Sequence, residues 1–274
     1  MRYLLSSGLL LVCQLALAQP DPFPRDPFPK VASSYLVQVN GELMWERQSG
    51  RRLPPASLTK LMTALLLVEQ GQLQSTVTVS RAAQHETGSH IGIKEGERFR
   101  AEDLLAATLI ASANDACHAL ADHAGGDEKR FVQLMNRRAG ELGLRHTHFV
   151  NACGHDAPNH YSTTRDLALL ARELLKHPEI TLLTAKQEAS IATLDGAHGY
   201  HFVSTNALIG RYEGAIGLKT GMTAKAGKCL VAYARRGEDE VLLVMLHGND
   251  RWWDAADILD IAFAHAQNHN QNPS

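Results

Sequence analysis

Pro54-Pro55-Ala56-Ser57-Leu58-Thr59-Lys60-Leu61-Met62-Thr63-Ala64 reads as the entrance of a helix. Two prolines set φ ahead of it, and Leu65, Leu66, Leu67 and Val68 continue it with almost no polar interruption. A helix that is apolar nearly all round belongs in the interior of a fold. Lys60 is out of place there, because lysine is almost never fully buried without a partner. At i+3 it shares a helix face with Ser57.

A serine beside a partly desolvated amine is a nucleophile with its base, since burial and a nearby cation disfavour the ammonium form. Ser-x-x-Lys also arises as a cap followed by an exposed charge, so the pair needs support from elsewhere in the chain. Ser112-Ala113-Asn114 occupies a tight link between two apolar helices, where a hydroxyl can relay a proton and an amide can bind a carbonyl. Asn114 and Asp115 are equally ordinary helix-start residues. Lys219-Thr220-Gly221 closes the apolar strand Ala215-Ile216-Gly217-Leu218; its lysine and threonine suit an anionic group, and Gly221 leaves room for an extended ligand. A plain strand end with a turn glycine would read the same way.

The chain of 274 residues, 45% hydrophobic, is long enough for a large core in one or two domains. A formal net charge of −2 provides no basic stripe for nucleic acid. Residues 1–18, with Arg2, an apolar run and Ala16-Leu17-Ala18, read as a cleaved secretory signal. No later stretch reaches the roughly 20 apolar residues of a membrane span. Leu11 and Val12 are too bulky for Cys13 to be a lipid-attachment site. The other cysteines, Cys117, Cys153 and Cys229, allow at most one disulfide, and buried free thiols are the expectation. Residues 19–33 hold a twice-repeated proline-rich unit and are expected to form an extended, solvated leader.

Period-two patterns predict a hairpin over 34–48 and strands over 189–194, 200–204, 215–221, 228–234 and 240–247. Between them, about 80–185 reads as a helical subdomain, with helices over 101–111, 115–124, 127–142 and 164–176 and Pro178 as a stop. A last helix runs from about 250 to 266, before a polar tail over 269–274. Strands at both ends with helices inserted between them predict an α/β fold: one antiparallel sheet flanked by helices.

Ser-x-x-Lys, Ser-x-Asn and Lys-Thr-Gly, in this order and behind a signal sequence, form the motif set of penicillin-binding proteins and class A β-lactamases. Residues 34–265 resemble a low-molecular-mass penicillin-binding protein, a serine D-alanyl-D-alanine carboxypeptidase with a β-lactamase/transpeptidase-like fold. Thr147-His148-Phe149 and Tyr161-Ser162-Thr163-Thr164-Arg165-Asp166 extend the likeness. The resemblance implies a catalytic domain over 34–268 that acts on peptidoglycan stem peptides and is acylated by β-lactam antibiotics, without cofactor or metal. It implies Ser57 as nucleophile, Lys60 as base and Ser112 as proton relay. Asn114 would hold the peptide, Lys219 would keep Lys60 neutral, Thr220 would bind the terminal carboxylate beside Gly221, and the amides of Ser57 and Met222 would form the oxyanion hole.

Many relatives add a β-rich domain and an amphipathic C-terminal helix. The tail here has no apolar face, and a soluble periplasmic enzyme is expected. A D,D-endopeptidase is the nearest alternative, and a β-lactam sensor without turnover is the alternative outside enzymes. A class A β-lactamase would need a Glu-x-x-Leu-Asn run after Asn114, which is absent. A zinc peptidase would need more than His146-x-His148 and the His265/His269 pair, neither of which has a carboxylate at metalloprotease spacing.

Overall fold

The computed structural model describes residues 26–271. Its centre is a five-stranded antiparallel sheet of β1 (Ala32–Val39), β2 (Glu42–Arg47), β7 (Ala215–Thr223), β8 (Gly227–Arg236) and β9 (Asp239–Gly248), in the order β2-β1-β9-β8-β7. N- and C-terminal segments thus share one sheet, as the alternating patterns predict. The remaining two strands do not join it. β5 (Glu188–Ala192) and β6 (Gly199–Val203) form a separate hairpin, and β3 (Thr76–Thr78) pairs with β4 (Arg98–Arg100), a strand inside the region expected to be helical. Period two specifies a strand with two unlike faces; it does not specify which sheet the strand enters.

Both faces of the main sheet are covered. Tyr35, Val37, Leu230, Ala232, Val241, Leu243 and Met245 point to one side, onto Ile258, Leu259, Ala262 and Phe263 of α8 (Arg251–Gln271). Leu36, Val231, Tyr233, Leu242, Val244 and Leu246 point to the other. There α6 (Thr164–Leu174) packs on β1, β8 and β9, and α3 (Ala101–Ile110) and the short α7 (Pro178–Thr184) on β7, in one core that extends through α1 (Lys60–Glu69), α4 (Asn114–Gly125) and α5 (Glu128–Glu141) to the short α2 (Arg81–Gln84). Residues 60–67 of α1 are all buried, as an all-round apolar helix requires.

Three further expectations are corrected. Pro178 begins α7 at its first turn, where a missing N–H costs nothing. α8 continues to Gln271, past the end expected at Ala266. The leader packs from Asp26 onward: its carboxylate accepts hydrogen bonds from Tyr35 Oη and from the Phe28 amide, and the Phe28 ring meets Trp45 edge-on at 6.0 Å. The signal sequence, Cys13 and the first proline-rich unit lie outside the described residues.

Candidate active site

Ser57 lies in a 3₁₀ turn, Ala56–Thr59, that runs directly into α1. Ala56 ahead of it is left-handed (φ 49°), a conformation uncommon for a residue with a Cβ and held by its surroundings. Thr59 donates its hydroxyl to the Ala56 carbonyl at 2.8 Å and accepts from Nε2 of buried His160 at 2.8 Å. The Val150 amide donates to the other ring nitrogen, which settles the tautomer, and burial lowers the His160 pKa to about 4 and keeps the ring neutral. Glycines close the turn from two sides. A Cβ on Gly154 would lie 2.0 Å from the Ala56 oxygen, and one on Gly221 would lie 3.0 Å from the Ser57 nitrogen.

Lys60 is fully buried, and Nζ has three neighbours: Cys153 O at 2.6 Å, Asn114 Oδ1 at 2.7 Å and Ser57 Oγ at 3.1 Å. Burial pushes its pKa down to about 7, against the pull of the Glu86 and Asp115 carboxylates. A neutral amine has two N–H bonds and one lone pair. The two short contacts take the two hydrogens, and the lone pair is left for the serine hydroxyl.

Ser112 forms the corner between α3 and α4, again left-handed at φ 60°. Asn114 follows as the first residue of α4 without capping it: Oδ1 serves Lys60, and Nδ2 donates to Thr87 O at 2.5 Å. One amide hydrogen is left for a ligand. Asp115 accepts from the amides of Ile91, Gly92 and Ile93 and so ties that segment to α4.

Lys219 and Thr220 are buried on β7, whose packing against the Ser57 turn brings Gly221 to Ser57; Met222 beyond it is exposed. Nζ of Lys219 donates to Thr220 O at 2.9 Å, and the Thr220 hydroxyl pairs with that of Thr205 at 2.7 Å. Burial, then the neighbouring Lys60 and Arg251, lower the Lys219 pKa.

Arg251 is a site residue that sequence reasoning missed. It opens α8, donates to Gly221 O at 2.7 Å and Cys229 O at 3.2 Å, stacks over Trp252, and keeps a buried Nε with no protein partner. With Thr205, Asn206 and Arg211 it lines an open cavity of about 500 Å³. An arginine at a helix start carries no motif signal, so only the contact reveals it. A second correction concerns the thiols. Cys117 and Cys153 form a disulfide with Cα atoms 5.9 Å apart, and among the described residues Cys229 is the one buried free thiol. The bond joins α4 to the segment whose carbonyl serves Lys60.

Residues 28–250 match the family described as peptidase S11, D-alanyl-D-alanine carboxypeptidase. The chain is 34% identical to the D-alanyl-D-alanine carboxypeptidase DacF of Bacillus subtilis, over 98% of this chain and 73% of that protein. The D-alanyl-D-alanine carboxypeptidase DacB2 of Mycobacterium tuberculosis is 33% identical, over 89% of this chain and 84% of its own. Among solved structures, a D-alanyl-D-alanine carboxypeptidase from M. tuberculosis superposes with TM-score 0.81 at 32% identity, covering 90% of this chain and 95% of that one. The ampicillin-bound penicillin-binding protein D2 of Listeria monocytogenes superposes with TM-score 0.73 at 33% identity, covering 85% and 97%. With the three motifs on facing elements around one buried lysine, and with this likeness along the chain, the protein belongs to the peptidase S11 family of serine-type D-alanyl-D-alanine carboxypeptidases.

Proposed function

We propose that Ser57 is the acylating residue of this carboxypeptidase, with Lys60 as its general base, on the terminal D-Ala-D-Ala bond of peptidoglycan stem peptides. The observation that carries this is the pair of short contacts from Lys60 to Asn114 Oδ1 and Cys153 O, which leave its lone pair facing Ser57 Oγ. Ser57 attacks the carbonyl between the two D-alanines, and its proton passes to Lys60. Ser112 relays a proton to the departing D-alanine amine, and water then hydrolyses the ester. The amides of Ser57 and Met222 hold the oxyanion. Lys219, Thr220 and Arg251 meet the terminal carboxylate; the unpartnered Nε of Arg251 supports its share in this. A β-lactam acylates the same serine, and its amine cannot diffuse away because the opened ring holds it.

Labelling with penicillin followed by peptide mapping should place the adduct on Ser57; a label on Ser112, or none, overturns the assignment. Pentapeptide should release free D-alanine, and a protein that opens only cross-linked muropeptides is an endopeptidase instead. We further propose that the enzyme works in the periplasm after export by residues 1–18. The Cys117–Cys153 disulfide supports an oxidising compartment. Among the described residues no helix is long and apolar enough to cross a membrane.

A further inference from the structure

Beside Lys60 lies a cluster of charged groups with no part in the roles above. Glu86, in the segment between α2 and β4, accepts from Nδ1 of His118 on α4 at 2.5 Å and from Nε2 of His155 at 2.7 Å. Nε2 of His118 faces Asp122 Oδ1 at 3.5 Å, and Asp122 accepts from Ser80 Oγ at 2.6 Å. Glu86 therefore joins two segments that each hold part of the site. On one side, Thr87 O and Ser89 O accept from the side chain and backbone of Asn114. On the other, His155 stands two residues after Cys153, whose carbonyl is the closest partner of Lys60.

Glu86 and His118 are charged at neutral pH. Against its burial, hydrogen bonds from His118 and His155 hold the Glu86 carboxyl at about 2. Desolvation opposes the charge on His118, but hydrogen bonds to Asp122 and Glu86, with the field of Glu128, raise it to about 10. Toward Lys60, Glu86 and Asp115 favour the ammonium, and Lys60 in turn disfavours the charge of Lys219.

We infer that Glu86 is a positioning residue for acylation: by bridging His118 and His155 it fixes the 151–156 segment against residues 87–89, so that Asn114 Oδ1 and Cys153 O stay where they take the two hydrogens of Lys60. Its charge has a second consequence. Together with Asp115 it favours the ammonium of Lys60 against burial, and so raises the pH at which Lys60 gives up its proton. This inference rests on Lys60 being the base, which the penicillin mapping of the unaltered chain tests separately.

The test is the rate of acylation by a chromogenic β-lactam, measured against pH on the full chain carrying Glu86→Gln. Losing the carboxylate disfavours the ammonium, so the acid limb should move ~0.5 unit to lower pH, with a several-fold slower rate on the plateau. An acid limb at its original position in a folded variant overturns the inference. Should Glu86→Gln not fold, His155→Leu carries the test, since it removes a partly exposed arm of the bridge and leaves Glu86 with His118. Several-fold slower acylation at every pH is expected of it. A His155→Leu protein that acylates at the original rate, with its wild-type chain labelled on Ser57, overturns the bridge alone.

Discussion

At the scale of single residues, the two lysines show how far burial alone can assign a role. Both are buried and both have lowered pKa values, yet their partners differ. Lys60 has two fixed acceptors and the serine hydroxyl; Lys219 has the carbonyl of Thr220. Lys60→Arg should abolish penicillin acylation, because a guanidinium does not deprotonate in a protein. Lys219→Arg keeps a cation and should acylate at a reduced rate, the loss coming from the poorer fit of a planar group. Equal rates in the two variants would remove Lys60 from the role of base. With Lys60 as the proposed base the neutral amine is the active form, so acylation should rise with pH through about 7, where burial brings the Lys60 pKa. A rate flat from pH 5 to pH 8, on the order of three powers of ten in proton activity, would contradict it.

At the scale of elements, the site depends on α4 and the 151–156 segment keeping their separation. The Cys117–Cys153 disulfide spans 36 residues of sequence, and closing such a loop is worth up to about 4 kcal/mol through the unfolded chain. The double variant Cys117→Ser/Cys153→Ser should lower Tm by roughly 10 °C in a calorimeter. It should also slow acylation, because Cys153 O is then held to α4 by fewer links; an unchanged Tm would mean that the packing of α4 suffices. Element boundaries were legible wherever chemistry punctuates the chain. Asp127 caps α5 as expected, whereas α6 is capped by Thr163, one residue before the Thr164 that the sequence suggested. Asn114 resembles such a cap and is not one, since its amide is spent on Lys60 and Thr87.

At the scale of the molecule, the sheet separates two cores, and the one that contains α1 also holds Ala56 and Leu58, the neighbours of Ser57. Phe263 lies in the other, 1% exposed between α8 and the sheet. Phe263→Ala should cost about 3–5 kcal/mol of stability and lower Tm by roughly 10 °C, while the folded protein acylates at the original rate. A large loss of acylation at full folding would show that α8 acts on the site through Arg251, at its far end.

The buried course of α1, the alternating strands of the sheet and the three motifs were all readable from the chain, because each depends on residues close in sequence. Burial of residues 60–67 follows from their composition, and the placement of β1, β8 and β9 from their period of two. The tertiary structure alone decided which groups meet: Cys153 with both Cys117 and Lys60, Arg251 with Gly221, Glu86 with two histidines, and the β5–β6 hairpin apart from the main sheet. These contacts join residues far apart in the chain, and pairing of that kind leaves no periodicity or spacing in the sequence. It is set by how the helices and strands pack once they have formed.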